Sequence, residues 1–205
     1  ALEALTSMKR AGADAILTKP LGSGTILAAE MAMARLPGLM TGEVWADCIA
    51  QMSRDQGSAA AILAPVALAM TDVTGFGLAG HLLEMMAASG TAAQVGLADI
   101  PLMQGALDLA QAGHGSSLQP ANLAAVSWQM TAPPSARNRL VGEAEMRDPR
   151  LALLSDPQTC GGLLAAVPAD DADRLIAALR DAGHDAALIG QVIDGPPHLT
   201  ITANP

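Results

Sequence analysis

Residues 69–78 read Ala69-Met70-Thr71-Asp72-Val73-Thr74-Gly75-Phe76-Gly77-Leu78. A short apolar run, read as a buried strand over 65–70, is followed by a carboxylate at Asp72 and by two glycines that allow close backbone approach. A helix then begins. Leu78, Leu82, Met85 and Met86 recur at the spacing of one helical face, so 78–88 reads as a helix closed by Gly90. Strand, turn and helix in this order set the theme for the rest of the chain.

Working outward, Asp14–Thr18 reads as a short buried strand ending at Lys19-Pro20, since the residue before proline is biased to extended geometry. The spacing predicts helices over 25–36, stopped by Pro37-Gly38, over 43–52 and over 102–112, with a strand over 92–97. Gly, Ser, Pro and Asn make 111–150 the least regular stretch, read as loops around short helices. Leu163–Val167 reads as a strand entered through Gly161-Gly162. The clearest helix is 170–182, with Ala172, Leu175, Ile176 and Leu179 on one face, acids in its first turn and Gly183 as its stop. Strands over 187–193 and 199–202 finish the chain. Interleaved strands and helices without an internal repeat predict one mixed α and β domain over 1–205.

Composition narrows the function. With 51% hydrophobic and 15% charged residues, a chain of 205 is apolar enough to fold around a core and is not a disordered segment. Aromatics are confined to Trp45, Phe76 and Trp128, too few for a base-stacking platform. Eleven Lys and Arg against 20 Asp and Glu leave a net charge of -9, the wrong sign for a phosphate-backbone binder. The two lysines are Lys9 and Lys19, so any phosphate ligand needs metal ions or backbone N–H groups. Two cysteines, Cys48 and Cys160, make neither a disulfide framework nor a zinc site. Ala1–Arg10 lacks the layout of a signal peptide, and the longest apolar run, 59–70, is broken by Pro65 and too short to span a bilayer. These features predict a cytoplasmic protein, without membrane or nucleic-acid partners; the start at Ala1, without Met, suggests a fragment.

Three segments could carry chemistry. In 69–78, Asp72 offers a hard oxygen suited to Mg²⁺, and N–H groups at the helix start suit anionic oxygens, with Thr74, Gly75 and Gly77 shaping the turn. The plainer alternative has Asp72 capping the turn and Thr74 capping the helix. In Ser155-Asp156-Pro157-Gln158-Thr159-Cys160-Gly161-Gly162, polar residues precede a strand; the plain alternative is a tight turn with Asp156 accepting backbone N–H bonds. In Leu17-Thr18-Lys19-Pro20-Leu21-Gly22-Ser23-Gly24, Lys19 could neutralise a phosphate or be a solvated surface residue. His81 reads as a structural hydrogen-bonder, and Glu30 and Glu84 as ordinary helix carboxylates. No Walker A or Rossmann glycine pattern is present.

Taken together, Leu-Thr-Lys-Pro-Leu-Gly-x-Gly at 17–24, Asp-Val-Thr-Gly-Phe-Gly-Leu-x-Gly-His at 72–81 and Asp-Pro-Gln-Thr-x-Gly-Gly-Leu-Leu at 156–164 resemble the C-terminal domain of the selenophosphate synthetase (selenide, water dikinase) family, within the wider AIR synthetase-related superfamily. The resemblance implies an α+β fold, a three-layer α/β/α domain with a mostly antiparallel sheet. It implies an enzyme making selenophosphate from ATP, selenide and water with release of AMP and phosphate. In the family the carboxylate matching Asp72 is a Mg²⁺ ligand facing ATP phosphates held mainly by an N-terminal half. Thr74, Gly75, Gly77 and Lys19 become nucleotide-site candidates, and so does Asn122, from a loose echo of the family's Gly-Gly-Thr-x-x-Asn at 115–122. The family's catalytic Cys or selenocysteine and its Lys belong to the N-terminal half, so no catalytic residue is assigned here and the chain alone is expected to be inactive. Its partners would be ATP, selenide and that N-terminal half, in a homodimer when full length.

Cys160 stands where the family usually has a small residue such as Ser. No Lys or Arg lies between Arg150 and Arg174, so the expectation is an unactivated thiol. Cys48, in a predicted helix, is no substitute for the family's nucleophile. The alternatives are another ATP-dependent enzyme of the same superfamily, such as an aminoimidazole ribonucleotide synthetase or a thiamine-phosphate kinase, or a non-catalytic nucleotide- or partner-binding module. The Asp-Pro-Gln-Thr-x-Gly-Gly motif argues against the first of these.

Overall fold

The computed structural model describes residues 12–39, 41–132 and 148–202. Seven strands form one sheet in the order β2-β5-β1-β6-β3-β7-β4: β1 is Ala13–Leu17, β2 Ala69–Asp72, β3 Ala92–Gly96, β4 Met130–Thr131, β5 Leu163–Pro168, β6 Ala187–Ile193 and β7 Leu199–Thr202. β1 lies between β5 and β6 and runs antiparallel to both; β2–β5 and β3–β6 are also antiparallel. β7 runs parallel to both β3 and β4, which makes the sheet mixed.

Strand alternation divides the core into two layers, because successive side chains point to opposite faces. On one face Ala15 and Leu17 of β1 and Leu164 and Ala166 of β5 join Leu78, Leu82 and Met86 of helix α4, Gly77–Ser89. On the other, Ile16, Ala165 and Val167 join Leu63 of α3, Gly57–Leu63, and Leu175 and Leu179 of α8, Ala169–Asp181. Helices on both faces give the three layers expected. A third apolar cluster knits α1 (Ser23–Met31), α2 (Thr41–Ser53) and α5 (Ala106–Gln111) to Leu153 of α7, Arg150–Ser155. The remaining helix, α6, covers Gln119–Val126 and is followed by a 3₁₀ turn over 127–129.

Most strands stand within a residue or two of their predicted bounds, and β6 and β7 match them. Three predictions change. The strand read over 65–70 lies at 69–72, so Asp72 is its last residue rather than the first of a turn, and the apolar run before it contains helix α3. The helix read over 25–36 starts at Ser23 and ends at Met31, because Met33 takes a left-handed conformation (φ 51°) and its N–H returns to the Glu30 carbonyl. The helix read over 102–112 spans only 106–111, since Leu102 pairs with Leu21 in a β-bridge and Gly105 turns the chain. The irregular stretch 111–150 contains the short helix α6, as read, and the two-residue strand β4, which was not; its residues 133–147, like the reading of Ala1–Arg10, lie outside the described residues.

Candidate functional site

Asp72 ends β2, an edge strand, and its side chain stands exposed. Among the described residues its carboxylate has no hydrogen-bond or ion-pair partner; the nearby Thr71 hydroxyl donates to the Asp72 carbonyl, not to the carboxylate. Asp72 therefore does not cap the turn. Thr74 does not cap α4 either, whose N-terminus has no side-chain cap; the Thr74 hydroxyl lies 3.2 Å from His81 Nε2. His81 Nδ1 in turn lies 3.1 Å from Glu84 Oε2, so His81 is hydrogen-bonded through both ring nitrogens and Glu84 has a specific partner. Among the described residues the Glu30 carboxylate meets the exposed Arg35, at 3.7 Å.

The turn carrying Asp72 is held by its surroundings. Val73 N–H donates to the Gly162 carbonyl (2.9 Å) and Gln158 N–H to the Thr74 carbonyl (2.9 Å). The Asn122 side-chain amide donates to the carbonyls of Gly75 (2.8 Å) and Ser155 (3.0 Å), which ties the turn to the end of α7. Gly77 has φ 70°, and a Cβ there would meet Leu154 O at 2.7 Å and Asp156 O at 2.9 Å; it lets α4 start directly against the α7 terminus. Gly75 is open: a Cβ added there would meet nothing within 4 Å. Of the residues singled out around the turn, Asp72 and Gly75 thus face outward, whereas Gly77 and the Asn122 amide nitrogen are engaged with protein backbone.

The other two segments clasp each other behind this turn. Gln158 Oε1 accepts from Gly22 N–H (2.9 Å), Ser23 N–H (3.2 Å) and the Ser23 hydroxyl (3.2 Å), and Thr159 N–H donates to Ser23 Oγ (2.9 Å). Thr18 Oγ1 accepts from Leu163 N–H (2.8 Å) and donates to Gln56 Oε1 (2.7 Å). Asp156 is fully buried; it accepts from Ser116 N–H and the Thr25 hydroxyl, both at 2.9 Å. Burial pushes its carboxyl above the ordinary range, and those two donors pull back against that shift. The tight-turn reading of Asp156 is met in part, by the Ser116 N–H. Asp156, Gln158, Ser23 and Thr25 form a buried polar seam that sequence alone did not assign, because its partners are some 130 residues apart.

Lys19 is not a solvated surface residue. It is 1% exposed, and its ammonium donates to the Cys160 carbonyl at 3.0 Å. Burial pulls its pKa below the ordinary lysine value; the Cys160 thiol opposes that shift and Arg54 adds to it. Cys160 itself is exposed, at φ 51°, and Lys19 is a cation near it in space that the flanking sequence does not show. Cys48 is buried in α2, where burial pushes its thiol up to about 11.

Whether these residues fit Mg²⁺ turns on the donor set. No group of three or more His, Cys, Asp or Glu able to hold a metal occurs among the described residues, so these residues offer no complete cage. A single unpartnered carboxylate does fit Mg²⁺, which keeps several waters and is commonly bound through one or two carboxylates together with substrate phosphates.

A mixed sheet with helices on both faces, an edge strand ending in a free carboxylate and a glycine turn leading into a helix define an AIR synthase-like α/β domain. The model of the AIR synthase related protein C-terminal domain matches residues 10–201, and the chain belongs to that family. It is 37% identical over 192 residues to the selenide, water dikinase of Myxococcus xanthus, covering 90% of this chain and 49% of that protein. The chain spans about half the length of the curated relatives it matches. Among solved structures, thiamine-monophosphate kinase from Stenotrophomonas maltophilia superposes with a TM-score of 0.62 at 18% identity, over 96% of this chain and 52% of that one. The hydrogenase maturation protein HypE in complex with ATP gives 0.55 at 15% identity, over 96% and 49%. No helix among the described residues is long and apolar enough to cross a membrane.

Proposed function

We propose that this chain is the C-terminal half of a selenide, water dikinase, which forms selenophosphate from ATP, selenide and water and releases AMP and phosphate. The greater identity to selenide, water dikinases than to the thiamine-monophosphate kinase structure favours this over other enzymes of the superfamily. The Asp-Pro-Gln-Thr-x-Gly-Gly segment, whose Gln158 and glycines support the Asp72 turn, favours it too. That HypE is known with ATP supports ATP as the nucleotide.

The observation that carries the reading is the free Asp72 carboxylate at the end of an edge strand, with its turn braced from behind by Gln158, Gly162 and Asn122. Asp72 would hold Mg²⁺; when bound, that ion neutralises phosphate charge, which a chain of net charge -9 cannot do with its own side chains. Thr74 and Gly75 shape the rim of the site, and Gly77 and Asn122 fix its position. Lys19 supports it at a distance, through the Cys160 carbonyl. The nucleophile and its partner lysine lie in the N-terminal half, with which this domain assembles in a cytoplasmic homodimer.

The test is Asp72→Asn in the complete polypeptide that carries this chain. The amide keeps the shape and loses the charge, so Mg²⁺-dependent turnover should fall by orders of magnitude while the thermal midpoint stays at the wild-type value. Unchanged turnover at limiting Mg²⁺ would remove Asp72 from the metal site.

A further inference from the structure

The Thr74–His81–Glu84 side-chain chain runs from the turn to the surface: Glu84 is largely exposed, and the Thr74 hydroxyl caps no helix. Its hydrogen bonds nevertheless have a fixed direction. A carboxylate only accepts, so Glu84 Oε2 places the proton of a neutral imidazole on His81 Nδ1. Nε2 is then an acceptor, and the hydrogen bond at 3.2 Å takes the single hydroxyl proton of Thr74. His81 is 8% exposed, and the Phe76 ring lies 5.6 Å from the imidazole at 54°, so the ring is shielded and its orientation held. Thr74 Oγ1 is left with its lone pairs and no proton to offer, two residues after the free carboxylate of Asp72. A carboxylate and a hydroxyl committed to accepting are two hard oxygens on one turn, which is what a hydrated divalent cation selects.

We propose that Thr74 Oγ1 is a second oxygen acceptor for the divalent cation held by Asp72, and that His81, oriented by Glu84, is the positioning residue that keeps it so. The proposal rests on the reading of Asp72 as a metal ligand. His81 acts only through Thr74, which separates it from a residue that merely packs.

The experiment is Mn²⁺ binding, followed by the loss of free-ion paramagnetic resonance, in the complete polypeptide with a non-hydrolysable ATP analogue. Thr74→Val should weaken Mn²⁺ by about tenfold, the scale on which groups orienting metal ligands act, and Thr74→Ser should bind as wild type. His81→Ala should lose most of the same factor, and His81→Gln, which restores an acceptor, should recover it. The double variant Thr74→Val with His81→Ala should bind no more weakly than Thr74→Val alone. Additive losses, or wild-type affinity in Thr74→Val, would overturn the proposal. Should His81→Ala fail to fold, Thr74→Val and His81→Gln still decide it. Wild-type Mn²⁺ affinity in Asp72→Asn would instead overturn the reading on which the proposal rests.

Discussion

Two glycines of one turn should respond very unequally to the same added methyl. At Gly77, alanine must adopt φ 70°, which costs an L-residue about 1–2 kcal/mol. Its Cβ would also stand 2.7 Å from Leu154 O, 2.8 Å from Ser155 C and 2.9 Å from Asp156 O. All three are backbone atoms between α7 and the buried seam, so they cannot swing aside as a side-chain tip would. Overpacking of this kind adds about 1–3 kcal/mol. Gly77→Ala should therefore cost roughly 2–5 kcal/mol, against which the lower entropy of the unfolded alanine chain returns less than ~1 kcal/mol. Gly75 is two residues away, has a negative φ and open space, and Gly75→Ala should change stability by no more than ~0.5 kcal/mol, as for an ordinary surface change. Urea unfolding of both variants reads the difference as a separation of midpoints at equal slope. Equal midpoints, or a Gly77→Ala loss under ~1 kcal/mol, would refute the claim that close approach to the α7 terminus is what requires glycine there.

Three further outcomes are expected. Cys160→Ser should be silent in activity and within ~1 kcal/mol in stability, because Lys19 bonds to the backbone carbonyl, which serine retains; a thiol reagent should label exposed Cys160 in the native protein and buried Cys48 only on unfolding. A large loss of selenide-dependent turnover in Cys160→Ser would show that the thiol takes part. His184 is held below its ordinary pKa by burial, then by Arg54 and Lys19, so the unfolded chain binds the extra proton more readily. Stability should rise as pH rises from that lowered native value to about 6.5, and this slope should vanish in His184→Gln when unfolding is followed across the range. The chain by itself should release no AMP from ATP and selenide, and AMP formation by the purified domain would contradict the placing of the nucleophile elsewhere.

The parts of the fold visible in sequence are those with long periodicity or clear stops. α8 shows an apolar stripe, acids at its start and Gly183 at its end, and α4 ends at Gly90 in the left-handed conformation glycine favours. α3 escaped because its last five residues, 59–63, belong to the apolar run over 59–70, where helix and strand look alike. The end of α1 escaped because a methionine, not glycine or asparagine, takes the left-handed position there. In the site, Asp72 was readable as a carboxylate between a strand and a glycine turn; that it stands exposed without a partner among the described residues was not. The His81–Glu84 contact was open to sequence as an i, i+3 pair on a helix. The burial of Lys19 and the clasp of Gln158 on Gly22 and Ser23 were not, since the first depends on packing and the second joins residues more than a hundred positions apart.

The position of β1 between β5 and β6 has a consequence for synthesis on the ribosome. Ala13–Leu17 leaves the ribosome well ahead of both of its neighbours, which lie within 163–193. At about 5–20 residues per second, this buried strand waits roughly 7–30 s for β5, its first hydrogen-bonded partner. Both of its edges are open during that time, and so is the Thr18 side chain that later receives Leu163 N–H. Slowed translation between residues 20 and 160 should therefore lower the soluble yield, whereas a pause after residue 193, once β6 has emerged, should not.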